Sequence, residues 1–201
     1  LPELQINFHF IPPYSLHFGG IWEAAVKSVK TLLRRVLNLT HLVYEELSTC
    51  LYQIEAILNS RPLTPLSTDP TDLSFLTPSH FLIGRPLLSV PYPQLENTNI
   101  NVLQRHQRIE KLRQHFWSRY SQEYIYQLQQ KQKWQTSSGK LQIGDMVLIK
   151  ESNVPPLLWL LGKVTKLTKG SDGVGRVAEI QTKKGTLIRS FNNMCPLPIH
   201  Q

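Results

Sequence analysis

Asp145-Met146-Val147-Leu148-Ile149-Lys150, Gly162-Lys163-Val164-Thr165-Lys166-Leu167, Arg176-Val177-Ala178-Glu179-Ile180-Gln181 and Thr186-Leu187-Ile188-Arg189 are short runs in which apolar and β-branched residues recur among charged ones. A period of two sends alternate side chains to opposite faces of a strand, so each run reads as a strand with one face buried. Turn signals lie between them at Pro155-Pro156, Ser171-Asp172-Gly173 and Lys184-Gly185. Strands of about six residues at this spacing predict a small antiparallel barrel.

Upstream the period becomes helical. From Asn101 to about Trp134, Leu103, Ile109, Leu112, Phe116, Tyr120, Tyr124 and Leu128 form a stripe among Gln, Lys and Arg, which predicts one long amphipathic helix. The preceding stretch from Pro62 to Pro93 holds most of the ten prolines of the first hundred residues and reads as an irregular connection. Within it Thr77 to Gly84 predicts a short helix, with Thr as cap, Pro at the first helical position and Gly as stop. Its apolar cluster Phe81-Leu82-Ile83 is expected to dock back on the N-terminal part. Two further helices are predicted. One runs from about Ile21 to Leu37 on Ala25, Val29, Leu32 and Val36, the other from about Val43 to Asn59 on Leu47, Cys50, Leu51, Ile54, Ile57 and Leu58. Arg61-Pro62 ends the second, because a residue before proline is pushed out of the helical region. Gln5 to Phe10 is a strand candidate, followed by a turn at Pro12-Pro13.

The chain has 201 residues, 41% hydrophobic and 18% charged, which is too apolar for a disordered chain. No apolar run reaches the roughly 20 residues that a helical membrane span needs, so no membrane partner is expected. Two cysteines make neither a disulfide framework nor a four-ligand zinc cluster, and the reading is an intracellular protein. The opening Leu1-Pro2-Glu3-Leu4 resembles no start, so the chain is expected to be part of something longer.

Charge is divided unevenly. Residues 1 to 100 carry 6 Lys and Arg against 8 Asp and Glu, a net −2; residues 101 to 201 carry 16 against 6, a net +10. Clustered cations attract polyanions by releasing counterions from phosphate, so the second half points to nucleic acid. Lys150, Lys163, Lys166, Lys169, Arg176, Lys183, Lys184 and Arg189 are too many to pack inside a small barrel and are expected to be displayed as phosphate contacts. Trp117, Tyr120, Tyr124, Tyr126 and Trp134 interleave with Arg113, Arg119, Lys131 and Lys133. That pattern suits either a stacking surface or a buried aromatic stripe.

Glu23 falls in the first turn of the first predicted helix, and Lys27, Lys30 and Arg34 lie within about 40° of it on the helix circumference. Two readings share this spacing. A carboxylate beside a Gly-containing loop can ligate a hard divalent cation while the cations hold phosphate. A first-turn Glu also suits the helix dipole, and Glu23 with Lys27 is an ordinary surface pair. A two-metal phosphoryl-transfer centre needs further carboxylates, and only Glu3 precedes Glu23, while Asp69 and Asp72 lie in the Pro-rich stretch. His17 could orient the loop. Neither a nucleophile elbow nor a phosphate-binding glycine loop is present.

Phe10-Ile11-Pro12-Pro13, with His17-Phe18-Gly19-Gly20-Ile21-Trp22-Glu23-Ala24-Ala25-Val26-Lys27-Ser28-Val29-Lys30, resembles the last active-site segment of integrases from BEL/Pao-type LTR retrotransposons. Leu58-Asn59-Ser60-Arg61-Pro62-Leu63 and Pro78-Ser79-His80-Phe81-Leu82-Ile83-Gly84 are similar to the same region of those polyproteins. Trp117-Ser118-Arg119-Tyr120, Gly144-Asp145-Met146-Val147-Leu148-Ile149-Lys150, Pro155-Pro156-Leu157-Leu158-Trp159, Leu161-Gly162-Lys163-Val164 and Cys195-Pro196-Leu197-Pro198 resemble the domain that follows the catalytic core.

The resemblance implies an α+β chain. Residues 1 to 100 would be the helical C-terminal remnant of an RNase H-like core with its Pro-rich connection; residues 101 to 201 would be a basic helix plus a small SH3-like antiparallel β-barrel serving DNA binding and assembly. It implies that Glu23 matches the glutamate of an Asp, Asp, Glu triad holding two Mg2+ or Mn2+ ions in the full-length parent, and that Lys27 and Lys30 grip the element's DNA end; Arg34, on the same stripe, is a DNA-binding candidate by its spacing. Both aspartates are missing here, so this chain alone is expected to be inert and to need no cofactor. DNA of the element ends and target, self-association with other integrase chains, and a nuclear location are implied in the same way. The rival reading is a domesticated or decayed remnant acting as a chromatin- or protein-binding module, whose aromatic cage would have to use Trp159.

Overall fold

A computed structural model of the chain describes residues 10, 12, 20–37, 42–67, 69, 71–88, 92–95, 97–99, 103–135, 141–152, 154–169 and 175–198, with the side chains of 21, 22, 37, 130–135 and 169 left aside. The candidate strand Gln5 to Phe10, the loop from Pro12 to Gly19 with His17, and the turn Ser171-Asp172-Gly173 lie outside the described residues, apart from Phe10 and Pro12. The chain divides into two compact units, residues 1–40 and 41–201.

The first unit contributes helix α1, Gly20–Leu37. Its amphipathicity follows the predicted period: Leu32 and Val36 are buried, Ala25 and Val29 half-buried, and Lys27, Lys30 and Arg34 exposed.

The second unit is a mixed α+β assembly. Helix α2, Tyr44–Asn59, starts where the Glu46 carboxylate accepts the Val43 N–H at 3.0 Å, satisfying one of the amides that a helix N-terminus leaves unpaired. It ends at Ser60, just ahead of Arg61-Pro62. Cys50, Ile54 and Ile57, spaced at three and four, are its buried stripe. A two-stranded antiparallel ribbon follows, β1 (Thr64–Pro65) with β2 (Phe75–Leu76). Helix α3, Pro78–Ile83, has Thr77 as N-cap, Pro78 at the first position and Gly84 at φ +71° as its stop, matching the sequence reading. Its apolar side chains depart from expectation: Phe81, Leu82 and Ile83 are 73%, 66% and 52% exposed, so they do not dock on the described part of the chain.

Helix α4, Arg105–Gln135, spans about 46 Å at 1.5 Å per residue and packs against α2. Its buried side is wider than the predicted stripe, because Trp117 and Ile125 join Leu112, Phe116 and Tyr120. At its N-terminal half the buried Glu110 accepts from Arg113 Nη2 (2.7 Å) and Gln114 Nε2 (3.0 Å), while Gln114 also bonds the Leu95 N–H and the Pro93 carbonyl. This network fixes the irregular connection to the helix.

Five strands complete the unit: β3 (Met146–Ile149), β4 (Leu161–Lys169), β5 (Gly175–Thr182), β6 (Gly185–Ser190) and β7 (Met194–Pro196). All neighbours are antiparallel, in the order β6-β5-β4-β3-β7. The first four are the predicted strands. β7 is reached through a 3-10 turn, Phe191–Asn193, and its Pro196 is tolerated because the strand lies at the sheet edge.

The core beneath this sheet is Leu141, Val147, Ile149, Val164, Ala178, Ile180 and Met194, with Leu160, Leu167, Leu187 and Phe191 packed against it. β3 is buried at all four positions, so it has cover on both faces. The register of β4 on β5 shifts between Val164 and Lys166, a bulge in which Thr165 is the extra residue, and this lets both Val164 and Leu167 face the core at a spacing of three.

Candidate nucleic-acid interface

The aromatic residues of α4 serve packing. Trp159 is 7% exposed and sits edge-on to Trp117 and Tyr124, with ring centroids 4.7 and 5.5 Å away. Its indole N–H donates to Ser60 Oγ at 3.0 Å, the Trp117 indole N–H to the Val154 carbonyl at 2.8 Å, and the Tyr124 hydroxyl to the Pro62 carbonyl at 2.6 Å. The rings thus join the end of α2, the middle of α4 and the loop before β4 in one cluster of Ser60, Pro62, Trp117, Tyr124 and Trp159. Burial pushes the Tyr120 phenol up to about 12 and the Tyr124 phenol upward too, so both remain protonated donors at neutral pH. Tyr126, 60% exposed, is the ring of this series left on the surface; the side chains of Lys131, Lys133 and Trp134 lie outside the described residues.

Cations, by contrast, are mostly displayed. Lys150, just after β3, and Lys166 on β4 are exposed, as are Arg176 on β5 and the β5–β6 hairpin residues Lys183 and Lys184. Gly185, at φ +125°, closes that hairpin in a backbone conformation that side chains disfavour. Arg189 is half-buried, with its guanidinium 3.6 Å from the Glu151 carboxylate in a partly exposed ion pair. The backbone of Lys169 belongs to β4, and its side chain lies outside the described residues.

Lys163 corrects the expectation of display. It is 9% exposed, and its ammonium donates to the backbone carbonyl of Asp69 in the segment between β1 and β2. Strand period alone places Lys163 on the face away from the core; only the long-range path of residues 66 to 74 reveals that this face is covered. Nothing in the sequence signals that Asp69, more than ninety residues earlier, meets Lys163.

In the first unit, Glu23 is half-buried in the first turn of α1, and Lys27, Lys30 and Arg34 are exposed further along it. Among the described residues, no group of three or more His, Cys, Asp or Glu could hold a metal ion. Glu23 alone does not fit the two-metal centre implied for a complete enzyme, and this donor set supports no metal-dependent step. Cys50 and Cys195 are both buried, and burial raises their thiols to about 11 and about 12, which keeps them protonated and unreactive.

Residues 104–197, running from α4 through β7, match the model of a family described as a family of unknown function (DUF5641). No curated protein and no solved structure matches the chain. Among the described residues no helix is long and apolar enough to cross a membrane.

Proposed function

We propose that this chain is the C-terminal portion of a BEL/Pao-type retrotransposon integrase whose sheet unit binds duplex DNA through its phosphates. The observation that carries the reading is the separation of roles in the second unit: Trp117, Tyr120, Tyr124 and Trp159 are consumed by packing, while Lys150, Lys166, Arg176, Lys183 and Lys184 stand exposed around one small sheet. Five displayed cations with most of the described α4 rings buried favour backbone recognition over base recognition. The strand order supports the same reading. A four-strand meander whose chain passes a 3-10 turn and returns a last short strand to pair with the first is compatible with an SH3-like barrel, and this reading takes the five-stranded antiparallel sheet as one.

In this reading α1 and α2 are the end of an RNase H-like core, Glu23 is the third carboxylate of its triad, and Lys27, Lys30 and Arg34 face the element's DNA end. The missing aspartates leave this chain inert by itself, with Mg2+ or Mn2+ chemistry confined to a full-length parent acting in the nucleus as an assembly of several copies. The protein-binding alternative needs an aromatic cage, and Trp159 is buried and hydrogen-bonded to Ser60, so nothing specific favours it.

The coding sequence directly upstream tests the integrase reading: it should encode two aspartates on strand-like segments, and an immediate in-frame stop codon would contradict it. Charge reversal at Lys27 and Lys30 in an active parent should abolish end-specific joining; unchanged joining would remove those residues from the site.

A further inference from the structure

β6 is an outer strand of the sheet: β5 pairs with it on one side, and among the described residues no strand pairs with it on the other. Two side-chain bonds show which of its backbone groups face that open side. The Thr165 hydroxyl on β4 donates to the Glu179 carbonyl at 3.1 Å, so the backbone of Glu179 faces β4. Residues of an antiparallel ladder alternate between bonding their partner and facing away from it. Glu179 and its β6 partner Ile188 are therefore a non-bonded pair, and the Ile188 N–H and carbonyl point outward. The Thr182 hydroxyl donates to the Gly185 carbonyl at 2.7 Å, which turns Gly185 toward β5 and sets the same phase. Thr186, Ile188 and Ser190 thus present their N–H and carbonyl groups along the open edge, and their side chains are exposed, Ile188 by 65%.

Open edges pair with other strands unless charge, proline or a covering element blunts them. Thr186, Ile188 and Ser190 carry no charge. A guard is present in Arg189, which shares the opposite face with the core-packed Leu187 and wraps round the edge. Its Nη1 donates to the Ile188 carbonyl at 3.1 Å, while Nη2 lies 3.6 Å from the Glu151 carboxylate. The central acceptor of the edge is already occupied.

The edge is also complementary to itself. Two β6 strands running antiparallel about Ile188 set Ile188 opposite Ile188 of a second copy and Thr186 opposite Ser190 of that copy, with two main-chain bonds at each such pair. Leu187 then stands opposite Arg189 of the copy, so no like charges meet head-on. On the outer face the cross-strand row Lys166, Glu179, Ile188 runs on into the same row reversed, and the two Ile188 side chains cover each other.

We propose that the β6 edge is an interface for a second copy of this chain, paired antiparallel about Ile188 and masked in the single chain by Arg189. A second copy fits because the two-fold register covers the exposed apolar residue of the edge with its twin while opposing no charges. The mask is weak, since Arg189 and Glu151 are both partly exposed, and it yields to a strand that brings its own N–H. The interface does not depend on duplex binding.

The test is sedimentation equilibrium of the full chain, free of nucleic acid, from about 5 to 500 µM. R189T keeps a strand-forming residue that cannot reach the Ile188 carbonyl. It should dimerise about thirtyfold more tightly than wild type, because two carbonyls are unmasked per dimer and a net hydrogen bond is worth about fivefold. K150Q removes the same charge outside β6 and should change dimer affinity less than about threefold. I188K in the R189T background sets two ammonium groups opposite each other and should abolish the dimer. In that background I188C should give a disulfide-linked dimer under mild oxidation, since opposed Cα atoms lie about 5.5 Å apart; S190C should not, because the two Ser190 positions are four residues, about 14 Å, out of step. Raising salt should strengthen the dimer of two chains of net +8 or +7, whereas it weakens phosphate contacts. R189T dimerising no more tightly than wild type, a dimer that survives I188K, or I188C cross-linking no better than S190C each overturns the inference. Loss of duplex binding with this pairing intact defeats the DNA-binding reading alone; no dimer at about 500 µM with duplex binding intact defeats the interface alone.

Discussion

Replacing Trp159 by alanine should cost about 4 kcal/mol, the middle of the range for truncating a buried large aromatic residue. The structural basis is threefold. The ring is 7% exposed, it packs edge-on to Trp117 and Tyr124, and its N–H holds Ser60 at the end of α2. Ser60 Oγ also donates to the Ile57 carbonyl at 2.7 Å, so it is not orphaned when the indole is removed, and the loss is chiefly packing. The Pro155 to Leu158 turn compounds it. Leu157 sits at φ 68°, a conformation that costs a branched residue about 1 kcal/mol or more, and Trp159, two residues on, anchors that turn to α4. With a urea m-value of about 2 kcal/mol/M, the midpoint should fall by about 2 M, read by far-ultraviolet circular dichroism. W159F keeps a ring and loses the N–H, and should cost about 1–2 kcal/mol. A W159A loss below 1 kcal/mol with an unchanged m-value would show that the aromatic cluster does not join the helices to the sheet.

Other consequences can be checked with the same protein. A Cβ on Gly162 would lie 2.4 Å from Ile180 Cγ2 and 2.7 Å from the Gln181 carbonyl, so G162A should destabilise by about 1–3 kcal/mol in thermal melts, and an unchanged melting temperature would refute the tight β4–β5 contact. With thiols raised to about 11 and about 12 by burial, Cys50 and Cys195 should resist a disulfide reagent at pH 8 in the native state and react in guanidinium; rapid native labelling of both would contradict their burial. The Asp69 and Asp72 carboxyls accept turn bonds from Thr71 and Ser74 and are depressed in the folded chain, so their ionised forms add stability that is complete above the ordinary value of 3.8 and lost as pH falls through the folded values. The drop in melting temperature below about pH 4 should be larger for wild type than for D69N/D72N, and parallel curves would refute the turn bonds.

What the sequence discloses here is local, and what it conceals depends on chain segments distant in number. The helical stripes of α1, α2 and α4 and the first four strands of the sheet are legible because each carries its own period; Thr77-Pro78 and Gly84 mark both ends of α3 by backbone chemistry alone. β7 has three residues and ends on Pro196, too short to show alternation, and exists because β3 offers an edge. The bulge at Thr165 puts Lys163 and Lys166 on the same face of β4, and only the remote contact with Asp69 covers the first while leaving the second exposed. Trp117 reads as a stacking ring and Trp159 as a cage ring until Val154 and Ser60 are seen to take their N–H groups. Phe81, Leu82 and Ile83 read as core and stand exposed, since an apolar run states a preference and not a partner. At the candidate site, residue type predicted the cations, while Asp69 is brought against Lys163 by the segment that joins β1 to β2.

The central claim is that the sheet unit binds duplex DNA through a small set of exposed cations. Its most direct test compares the salt dependence of duplex affinity for the full chain with that of K150Q/R176Q/K166Q/K184Q. At about 0.9 per phosphate contact, the slope of log K against log salt should be shallower by about 3 to 4 in the variant, with the melting temperature preserved. Equal slopes, or no wild-type binding at 50 mM salt, would contradict the account.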